Sequence, residues 1–364
     1  MMSPFLCRIL FSLLIFFACS GTLWAQADKA PVVGLSTQPW ISSEGKLLST
    51  KGGGVQGKFT SYPMPVPAAI PHCIAIDQKG IIWAGLVGSN RIGKFDPKTG
   101  LFKHYLVPTP DSRPHGITVA GDGKIWFTSE QDLRRKVGRF DPDTELFIEI
   151  QVPGVGDADV RPHTPIFGPG GYVWFTMEDG IGRIDPKSLE AKAFPVPTKN
   201  SRPYGITVGL DGMIYFAEWR GHKIGRLNPK TGEVREYDPP TPKSGTRRIT
   251  TAPDGIIWVS EYIAHNLARL DPKSGEIKEY KMPSAPNSAP YGIVATPDGM
   301  IWVSEQFSNL ITKFDPKTEK FTSYPVPWDE SGLRIPSSVR NMLTDREGKI
   351  WYGDNRNSRI TKVE

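Results

Sequence analysis

The sequence lacks the residues on which several common enzyme classes depend. Its 364 residues include three cysteines, Cys7, Cys19 and Cys73, which are too few for a clustered thiolate metal site. It contains no glycine-rich phosphate loop between a strand and a helix, and no Gly-x-Ser-x-Gly turn. These absences argue against a nucleotide enzyme and against a serine hydrolase of the α/β type.

The chain also lacks a large excess of charge of one sign. The chain has 44 Lys and Arg against 38 Asp and Glu, a net charge of +6, and many of the lysines recur in Asp-Pro-Lys turns. Such lysines are typical of solvated loops and do not form the continuous basic surface that binds nucleic acid. We therefore expect no nucleic-acid partner.

Long apolar runs are restricted to the N-terminus. Arg8 precedes an apolar stretch from Ile9 to about Ala18, and small residues ending in "AQA" at positions 25–27 follow it. The stretch is short for a membrane span, and its flanks are those of a secretory signal peptide. We predict a signal peptide over residues 1–27, no membrane span, and an exported protein that is periplasmic or secreted.

Removal of this signal would leave Cys73 as the single cysteine, so no internal disulfide is expected. Lipid attachment at Cys19 stays open, because the aliphatic residue that usually stands three positions earlier is absent. Residues 28–56 have no sustained periodicity, and we predict that they form a linker or loose arm.

The remainder of the chain repeats one unit seven times. An apolar segment centred on an aromatic residue recurs every 41 to 49 residues, at Trp83, Trp126, Trp174, Tyr215, Trp258, Trp302 and Trp351. A turn pair such as Asp122-Gly123 precedes most copies, and a second turn such as Asp141-Pro142 follows. Each unit therefore predicts four short antiparallel strands, which is one blade of a propeller.

The last copy ends at "ITKVE" without an outer strand. Residues 59–64, "FTSYPM", nearly duplicate "FTSYPV" of residues 321–326, so an N-terminal strand is available to complete the last blade. Closing the ring in this way removes exposed sheet edges. We predict an all-β, seven-bladed β-propeller of four-stranded antiparallel blades over residues 57–364.

Two positions of the repeat are polar and vary between blades. The position eleven residues before the aromatic is occupied in turn by His72, His115, His163, Tyr204, Arg247, Tyr291 and Arg340. The position three residues after it is occupied by Leu86, Ser129, Met177, Glu218, Glu261, Glu305 and Asp354. Strict alternation along the hairpin would place the two positions opposite each other at one mouth of the central channel.

These two positions allow a structural and a functional interpretation. The Arg and Tyr residues can form cross-strand pairs with the carboxylates, such as Arg247 with Glu261 and Tyr204 with Glu218, that satisfy polar strand ends. Three histidines at one mouth can form a polar wall, or they can bind a metal or act as bases.

The pattern "RPHGIT…DGKIWFT…KVGRFDP" resembles the virginiamycin B lyase family over about residues 57–364. That family consists of seven-bladed propellers that open a cyclic depsipeptide at its ester by elimination, with Mg²⁺. The resemblance implies that His115 in "SRPHGIT" contacts substrate, that His163 in "VRPHTPI" is the general base, and that Glu178 in "WFTMED" is a metal ligand. The family carries this pair of blades at the end of the chain, whereas here they are blades two and three, a shift that a closed ring tolerates.

The sequence departs from the family at Arg161, which stands where the family has a second metal-binding Glu. Arg161 can pair with Glu178 in place of Mg²⁺ and polarise a substrate carbonyl. Alternatively, the site has lost this chemistry and the propeller binds something else.

The working hypothesis from the sequence is a carbon–oxygen lyase acting on a small molecule or cyclic peptide, as a monomer. His163 and Arg161 would be catalytic, Glu178 would hold Mg²⁺ or Arg161, and a last group would bind substrate at the mouth: His115, Tyr204, Glu218, Glu261 and Tyr291. Two alternatives are a non-catalytic exported propeller that binds a ligand or protein, and a lactonase-type hydrolase. The latter would need Ca²⁺ or Zn²⁺ held by converging carboxylates: Glu218, Glu261, Glu305 and Asp354.

Overall fold

The structure is a computed structural model. It describes residues 59–66, 68–129, 136–156, 160–328 and 336–364, and the backbone of residues 32–35 and 48–49, all within one compact unit of residues 31–364. The predicted signal peptide, with Cys7 and Cys19, lies outside the described residues. Among the residues described, no helix is long and apolar enough to cross a membrane.

The repeat folds as seven antiparallel sheets, one for each predicted blade. Blades one to three comprise the following strands: β4 (Pro71–Ile76), β5 (Ile82–Leu86), β6 (Arg91–Asp96) and β7 (Leu101–Leu106); β8 (Pro114–Val119), β9 (Ile125–Ser129), β10 (Lys136–Phe140) and β11 (Leu146–Gln151); β12 (Pro165–Gly168), β13 (Tyr172–Met177), β14 (Gly180–Ile184) and β15 (Ala191–Pro195).

Blades four to seven continue the same order. They comprise β16 (Pro203–Val208), β17 (Ile214–Glu218), β18 (Lys223–Leu227) and β19 (Val234–Tyr237); β20 (Thr246–Thr251), β21 (Ile257–Glu261), β22 (Asn266–Leu270) and β23 (Ile277–Lys281); β24 (Pro290–Ala295), β25 (Ile301–Glu305), β26 (Leu310–Asp315) and β27 (Lys320–Pro325); β28 (Val339–Thr344), β29 (Ile350–Asp354), β30 (Arg359–Val363) and β3 (Phe59–Pro63). The innermost strand of each blade contacts the innermost strand of the next, and β28 contacts β4.

The N-terminal strand closes the ring, as the sequence predicts. β3 pairs with β30 from Phe59↔Val363 to Pro63↔Arg359 and completes the seventh blade. Two further strands lie within the predicted arm. β1 (Val32–Leu35) pairs with β11 on the outer edge of blade two, and β2 (Leu48–Ser49) pairs with β3.

The hydrophobic core lies between the blades. Seven clusters of buried side chains each join two neighbouring blades; for example, Trp83 of blade one packs with Phe127 and Phe140 of blade two. The repeated aromatic forms part of this packing, and Trp126 and Trp174 are fully buried. Because every blade is held by both neighbours, the polar ends of the inner strands are fixed relative to one another.

Candidate active site at one end of the channel

Seven side chains, six from the innermost strands and His163 from two residues before β12, close one end of the central channel. They are the residues eleven positions before each repeated aromatic, and we call them the closing ring: His72, His115, His163, Tyr204, Arg247, Tyr291 and Arg340. His115 is the most deeply buried of them, with 1% of its surface exposed, and the two arginines are half-buried. The sequence prediction that these seven positions share one mouth is therefore confirmed.

Contacts run around the whole closing ring. The ring centroids of His72 and His115 are 3.7 Å apart, those of His115 and His163 are 4.3 Å apart, and those of His163 and Tyr204 are 3.8 Å apart. The hydroxyls of Tyr204 and Tyr291 are hydrogen-bonded.

The two arginines complete the ring. The Arg247 guanidinium lies over the rings of Tyr204 and Tyr291, at 4.9 Å and 4.2 Å. Arg340 Nη1 is 3.3 Å from His72 Nε2. The histidines thus form the polar wall that the structural interpretation predicts. His163 also borders a pocket, and a pocket is what the functional interpretation requires.

The predicted pairing across the inner hairpins is wrong. In six blades the inner ladder is shifted by a bulge, and in blade three His163 N–H donates to the Thr176 carbonyl while Thr176 N–H donates to the Thr164 carbonyl. Glu218 lies opposite Pro203 rather than Tyr204, and the register then shifts before Ile206. The same shift separates Glu261 from Arg247. A bulge presents two consecutive residues on one side of the strand, so strict alternation does not hold here.

The carboxylates face the inside of the blades. Glu218 and Glu261 are fully buried and do not line the mouth, which corrects their predicted place. Burial raises the pKa of each carboxyl to about 8, with neighbouring Glu236 and Glu279 as the next cause. Neutral, buried carboxyls of this kind are not available to a substrate at neutral pH.

The last two carboxylates of the series are held by hydroxyls and a cation. Glu305 accepts hydrogen bonds from Ser284, Ser308 and Thr312. Asp354 accepts from Ser337 Oγ at 2.8 Å and from Arg359 Nε at 3.1 Å. These carboxyls do not converge on the channel, which removes the ligand set that a lactonase-type metal site would need.

The histidines of the closing ring are electrically neutral. Burial, with Arg248 as the next largest cause, lowers the pKa of His115 to about 3. Burial also lowers the pKa of His163 well below 6.5, with further contributions from His115 and Arg248. Because neither imidazole carries a proton charge near neutral pH, each has a lone pair that can accept a proton.

His163 borders a small pocket on the outer side of the closing ring. The pocket has a volume of about 50 Å³ and is lined by these described residues: Arg161, Pro162, His163, Met177, Glu178, Arg202 and Pro203. The structure thus brings the predicted residues Arg161, His163 and Glu178 together. Glu178 forms its ion pair with Arg202, whose Nε lies 3.4 Å from Glu178 Oε1.

Arg202 is a residue that the sequence reasoning missed. It precedes Pro203 in "SRPYGIT", the same motif that carries His115 in "SRPHGIT", so the repeat contained the signal. Its φ of 51° is unusual for a side chain with a Cβ and costs energy. The equivalent residues Ile70, Arg113 and Ala289 also have a positive φ, so this backbone conformation belongs to the repeat.

Residues of blades two and five position His163. Thr128 Oγ1 of blade two donates a hydrogen bond to the His163 carbonyl at 2.6 Å. His163 Nδ1 is 2.8 Å from Thr164 Oγ1, and the same hydroxyl oxygen accepts a hydrogen bond from Arg248 Nη1 of blade five at 2.9 Å. A hydroxyl oxygen has two lone pairs, so Thr164 can accept from both and hold the imidazole with its Nδ1 protonated.

The outer face beside the pocket also carries an aromatic row that sequence reasoning missed. Trp219 and Tyr262 meet edge to face at 5.5 Å, and Tyr262 and Phe307 do so at 5.9 Å. Phe307 is 65% exposed. Arg247 lies 4.2 Å from the Trp219 ring, which joins the row to the closing ring.

The pocket does not fit Mg²⁺. This ion requires oxygen ligands, and among the described lining residues Glu178 is the single carboxylate, while Arg161 and Arg202 both bring positive charge to it. The guanidinium of Arg202 already occupies the neighbourhood of the Glu178 carboxylate. We therefore derive no catalytic step that passes through a metal.

Comparisons with known proteins identify a family and solved structures of the same fold. The chain matches the Virginiamycin B lyase family over residues 52–137 and 131–364. It is 28% identical to a virginiamycin B lyase from Staphylococcus aureus, with 85% of this chain and 99% of that chain covered and a TM-score of 0.76. It is 27% identical to a catalytically inactive histidine-to-alanine variant of that enzyme with quinupristin, at the same coverage and TM-score.

Two further solved structures are similar to this chain. A streptogramin B lyase is 27% identical, with 84% of this chain and 97% of that chain covered and a TM-score of 0.75. Hydrazine synthase of Kuenenia stuttgartiensis is 13% identical over 83% of this chain and 97% of that chain, with a TM-score of 0.65, and shares the fold. No curated protein sequence matches the chain significantly.

Proposed function

Since this chain belongs to the virginiamycin B lyase family, we propose that it opens the ester of a cyclic depsipeptide or related lactone by elimination. The observation that supports this most directly is the pocket in which a neutral His163 lies beside two guanidinium groups, those of Arg161 and Arg202. A base and positive charge at one site are the two requirements of such a reaction.

His163 is the proposed base. With Nδ1–H donating to Thr164 Oγ1, the Nε2 lone pair takes the proton from the carbon next to the substrate carbonyl. The electrons of the broken C–H bond form a carbon–carbon double bond, and the bond between the β carbon and the ester oxygen breaks. The leaving carboxylate departs with that electron pair, so the product is an isomer of the substrate.

Arg161 and Arg202 are the proposed electrophiles. As the proton leaves, negative charge develops on the carbonyl oxygen, and a guanidinium that donates to this oxygen stabilises it. Glu178 holds Arg202 in place through their ion pair. The carboxylate therefore serves here as a positioning group for an arginine.

The aromatic row of Trp219, Tyr262 and Phe307 is the proposed substrate platform. Phe307 is exposed, and Trp219 and Tyr262 are partly exposed, which suits the apolar and aromatic side chains of a cyclic depsipeptide. Tyr291 of the closing ring meets Tyr262 edge to face at 5.9 Å and so supports the platform, while Tyr204 and His115 lie further along the same ring.

Incubation of the purified protein with quinupristin, followed by mass spectrometry, tests the proposal. Elimination yields a linear product with the mass of the substrate, whereas hydrolysis adds one water. We expect the isomeric product from the wild type, with equal rates with and without EDTA, and a loss of about 10²–10⁴-fold in turnover for His163→Ala. The control is His222→Ala, since His222 lies outside the closing ring.

Two outcomes would overturn this assignment: no turnover by the wild type at high protein concentration, or a product that carries an added water. A second candidate function is then ligand binding without chemistry, which the departure at Arg161 and the burial of the closing ring favour. In that case His163→Ala would bind quinupristin as the wild type does.

We also propose that the protein is exported and acts as a monomer outside the cytoplasm, where it would inactivate streptogramins before they enter the cell. N-terminal sequencing of the protein recovered from the periplasm or medium should show cleavage after Ala27. An intact N-terminus in the cytoplasmic fraction would contradict export, and a dimer in size-exclusion chromatography would contradict the monomer.

A further inference from the structure

The central channel contains a second cavity, on the other side of the closing ring from the pocket. Its volume is about 480 Å³, and the innermost strands of all seven blades line it. At Ile166, Ile206 and Ala295 it continues into an outer recess that reaches Leu210 near the hairpin turns. Leu210 is 71% exposed, so the cavity opens on the face opposite the candidate active site.

Arg248 lies at the inner end of this cavity. It directly follows the ring residue Arg247 and is only 5% exposed. Its Nη1 donates to Thr164 Oγ1 at 2.9 Å and its Nη2 lies 3.5 Å from Cys73 Sγ. Its Nε is buried and has no hydrogen-bond acceptor among the described residues.

The surroundings of Arg248 contain an excess of positive charge. Arg247 and Arg340 belong to the closing ring directly above it, and the histidines of that ring are neutral. None of the described residues that line the cavity is an Asp or a Glu. A buried guanidinium is stable only when its charge and its donors are satisfied, so this end of the channel lacks an anion.

Cys73 does not remove this deficit. Its sulfur lies near Arg248 Nη2 and 3.4 Å from His72 Nδ1. Even a fully ionised thiolate would offset one of three guanidinium charges.

A metal ion is also unsuitable for this place. His72, Cys73 and His115 bring ligand atoms within 4.8 Å of one another. However, Arg248 already contacts Cys73, and Arg340 contacts His72. Two cations in contact with the ligand atoms oppose the entry of a third.

We propose that the inner end of the channel binds a small carboxylate that enters from the face opposite the candidate active site. The two carboxylate oxygens accept hydrogen bonds from Nε–H and a remaining Nη–H of Arg248, in the paired geometry that guanidinium groups favour. The site does not depend on the lyase activity, because it lies beyond the closing ring.

The walls of the cavity suit a small, polar body on this carboxylate. Each innermost strand is the edge of its sheet and presents to the channel backbone groups that no further strand pairs. Thr118, Thr250 and Asn341 add polar side chains at different blades. The volume lies at the lower end of the range for small-molecule sites.

Sodium acetate, with acetamide as its neutral counterpart, is the probe for this site. By isothermal titration calorimetry and by thermal unfolding, we expect saturable binding of acetate and none of acetamide. Arg248→Met should weaken acetate binding by about tenfold or more, and Arg248→Lys, which retains the charge but not the paired donors, by less. Arg235→Met on an exposed outer strand is the matched control and should bind acetate as the wild type does.

Crystals of the wild type soaked in sodium bromide provide a test that does not require a stable variant. We expect an anomalous peak beside the Arg248 guanidinium that acetate displaces. Bromide at surface lysines alone would identify an adventitious ion only and would overturn the proposal. Equal stabilisation by acetate of the wild type and Arg248→Met would do the same.

Discussion

Blades three and four have the same strand order, but their inner hairpins are built differently. In blade four the ladder between β16 and β17 contains a bulge, the residue before Pro203 has a positive φ, and Asp211-Gly212 forms the turn. In blade three β12 has only four residues, paired in register with β13, and the same change of pairing lies just before it, where His163 N–H donates to the Thr176 carbonyl and Thr176 N–H donates to the Thr164 carbonyl. A short 3₁₀ turn over Pro169–Gly171 joins them.

One position accounts for the difference in polar contacts between the two blades. Blade four has Gly205 after its ring residue, whereas blade three has Thr164, and the hydroxyl of Thr164 is what links His163 to Arg248. The repeated structure thus supplies a rigid frame, and the blade that departs from the repeat supplies the polar contacts of the candidate site. Local rules are commonly broken at functional sites.

The largest difference between the two blades is expected in the stability cost of a substitution at Gly116, which faces blade three. A Cβ there would lie 2.1 Å from the His163 carbonyl oxygen, whereas a Cβ on Gly205 would lie 2.8 Å from the Arg247 carbonyl oxygen. Gly116→Ala should therefore lower the free energy of unfolding by about 3 kcal/mol, and Gly205→Ala by roughly 1–3 kcal/mol. Urea denaturation measures both, and equal values would show that the boundary with blade three is not tighter.

Thr164 provides the next test, through the hydrogen bond that it offers to His163. Thr164→Val removes the hydroxyl at nearly constant volume, and we expect kcat for quinupristin to fall about tenfold with KM little changed. Thr164→Ser should restore most of kcat, because it keeps the oxygen. A Val variant as active as the Ser variant would show that this hydroxyl does not hold the imidazole.

Glu218 distinguishes the blades by the pH dependence of stability. Blade three has Met177 at the equivalent position. The folded protein keeps Glu218 protonated up to its pKa of about 8, while the unfolded chain ionises near 4.5, so unfolding releases a proton between these values. Stability should therefore fall as pH rises through this interval.

The substitution Glu218→Gln should remove its share of this loss. We compare the free energies of unfolding of the variant and the wild type at the two pH values. The difference in favour of the variant should be larger at about pH 8 than at about pH 5, by an amount on the order of 1 kcal/mol or more. Urea denaturation at both pH values measures it, and the exposed Glu233→Gln is the control. An unchanged slope with pH would mean that Glu218 is ionised in the folded protein.

The smallest effect is expected at the repeated aromatic of blade four. Tyr215 donates a hydrogen bond to Asp211 at 2.9 Å and accepts one from Arg226 at 3.0 Å, whereas Trp174 of blade three donates to a backbone carbonyl. Tyr215→Phe should cost about 1 kcal/mol of unfolding free energy, since Asp211 and Arg226 still pair with each other. Thermal unfolding measures this cost. A cost above that of Gly205→Ala would contradict the expectation that this substitution has the smallest effect.

The sequence was sufficient for the architecture because the repeat determines it. The spacing of the aromatics, the two turns in each unit and the duplicated "FTSYP" segment together require seven blades and a closing strand, and the structure has both. Export, the monomeric state and the roles of the site residues stay predictions.

The geometry of the closing ring was only partly accessible from sequence. Alternation predicts the seven ring residues correctly but misplaces Glu218 and Glu261, because a bulge leaves no mark in an alternating pattern. One signal was available: Gly116, Gly205 and Gly292 follow their ring residues inside a strand, where glycine often indicates a bulge or a close approach. The same position in the other blades holds Cys73, Thr164, Arg248 and Asn341, two of which contact His163 or its partner.

Ring closure has a geometric consequence for the candidate site. The angles between neighbouring blades must add up to one full turn, so a misfit at one boundary is shared by the other six. The pairing of β3 with β30 therefore helps to set the spacing between blades two and three, although it lies in blade seven. A cut or a shift in that distant pairing should change the angle between blades two and three at His163, without any change in the residues around it.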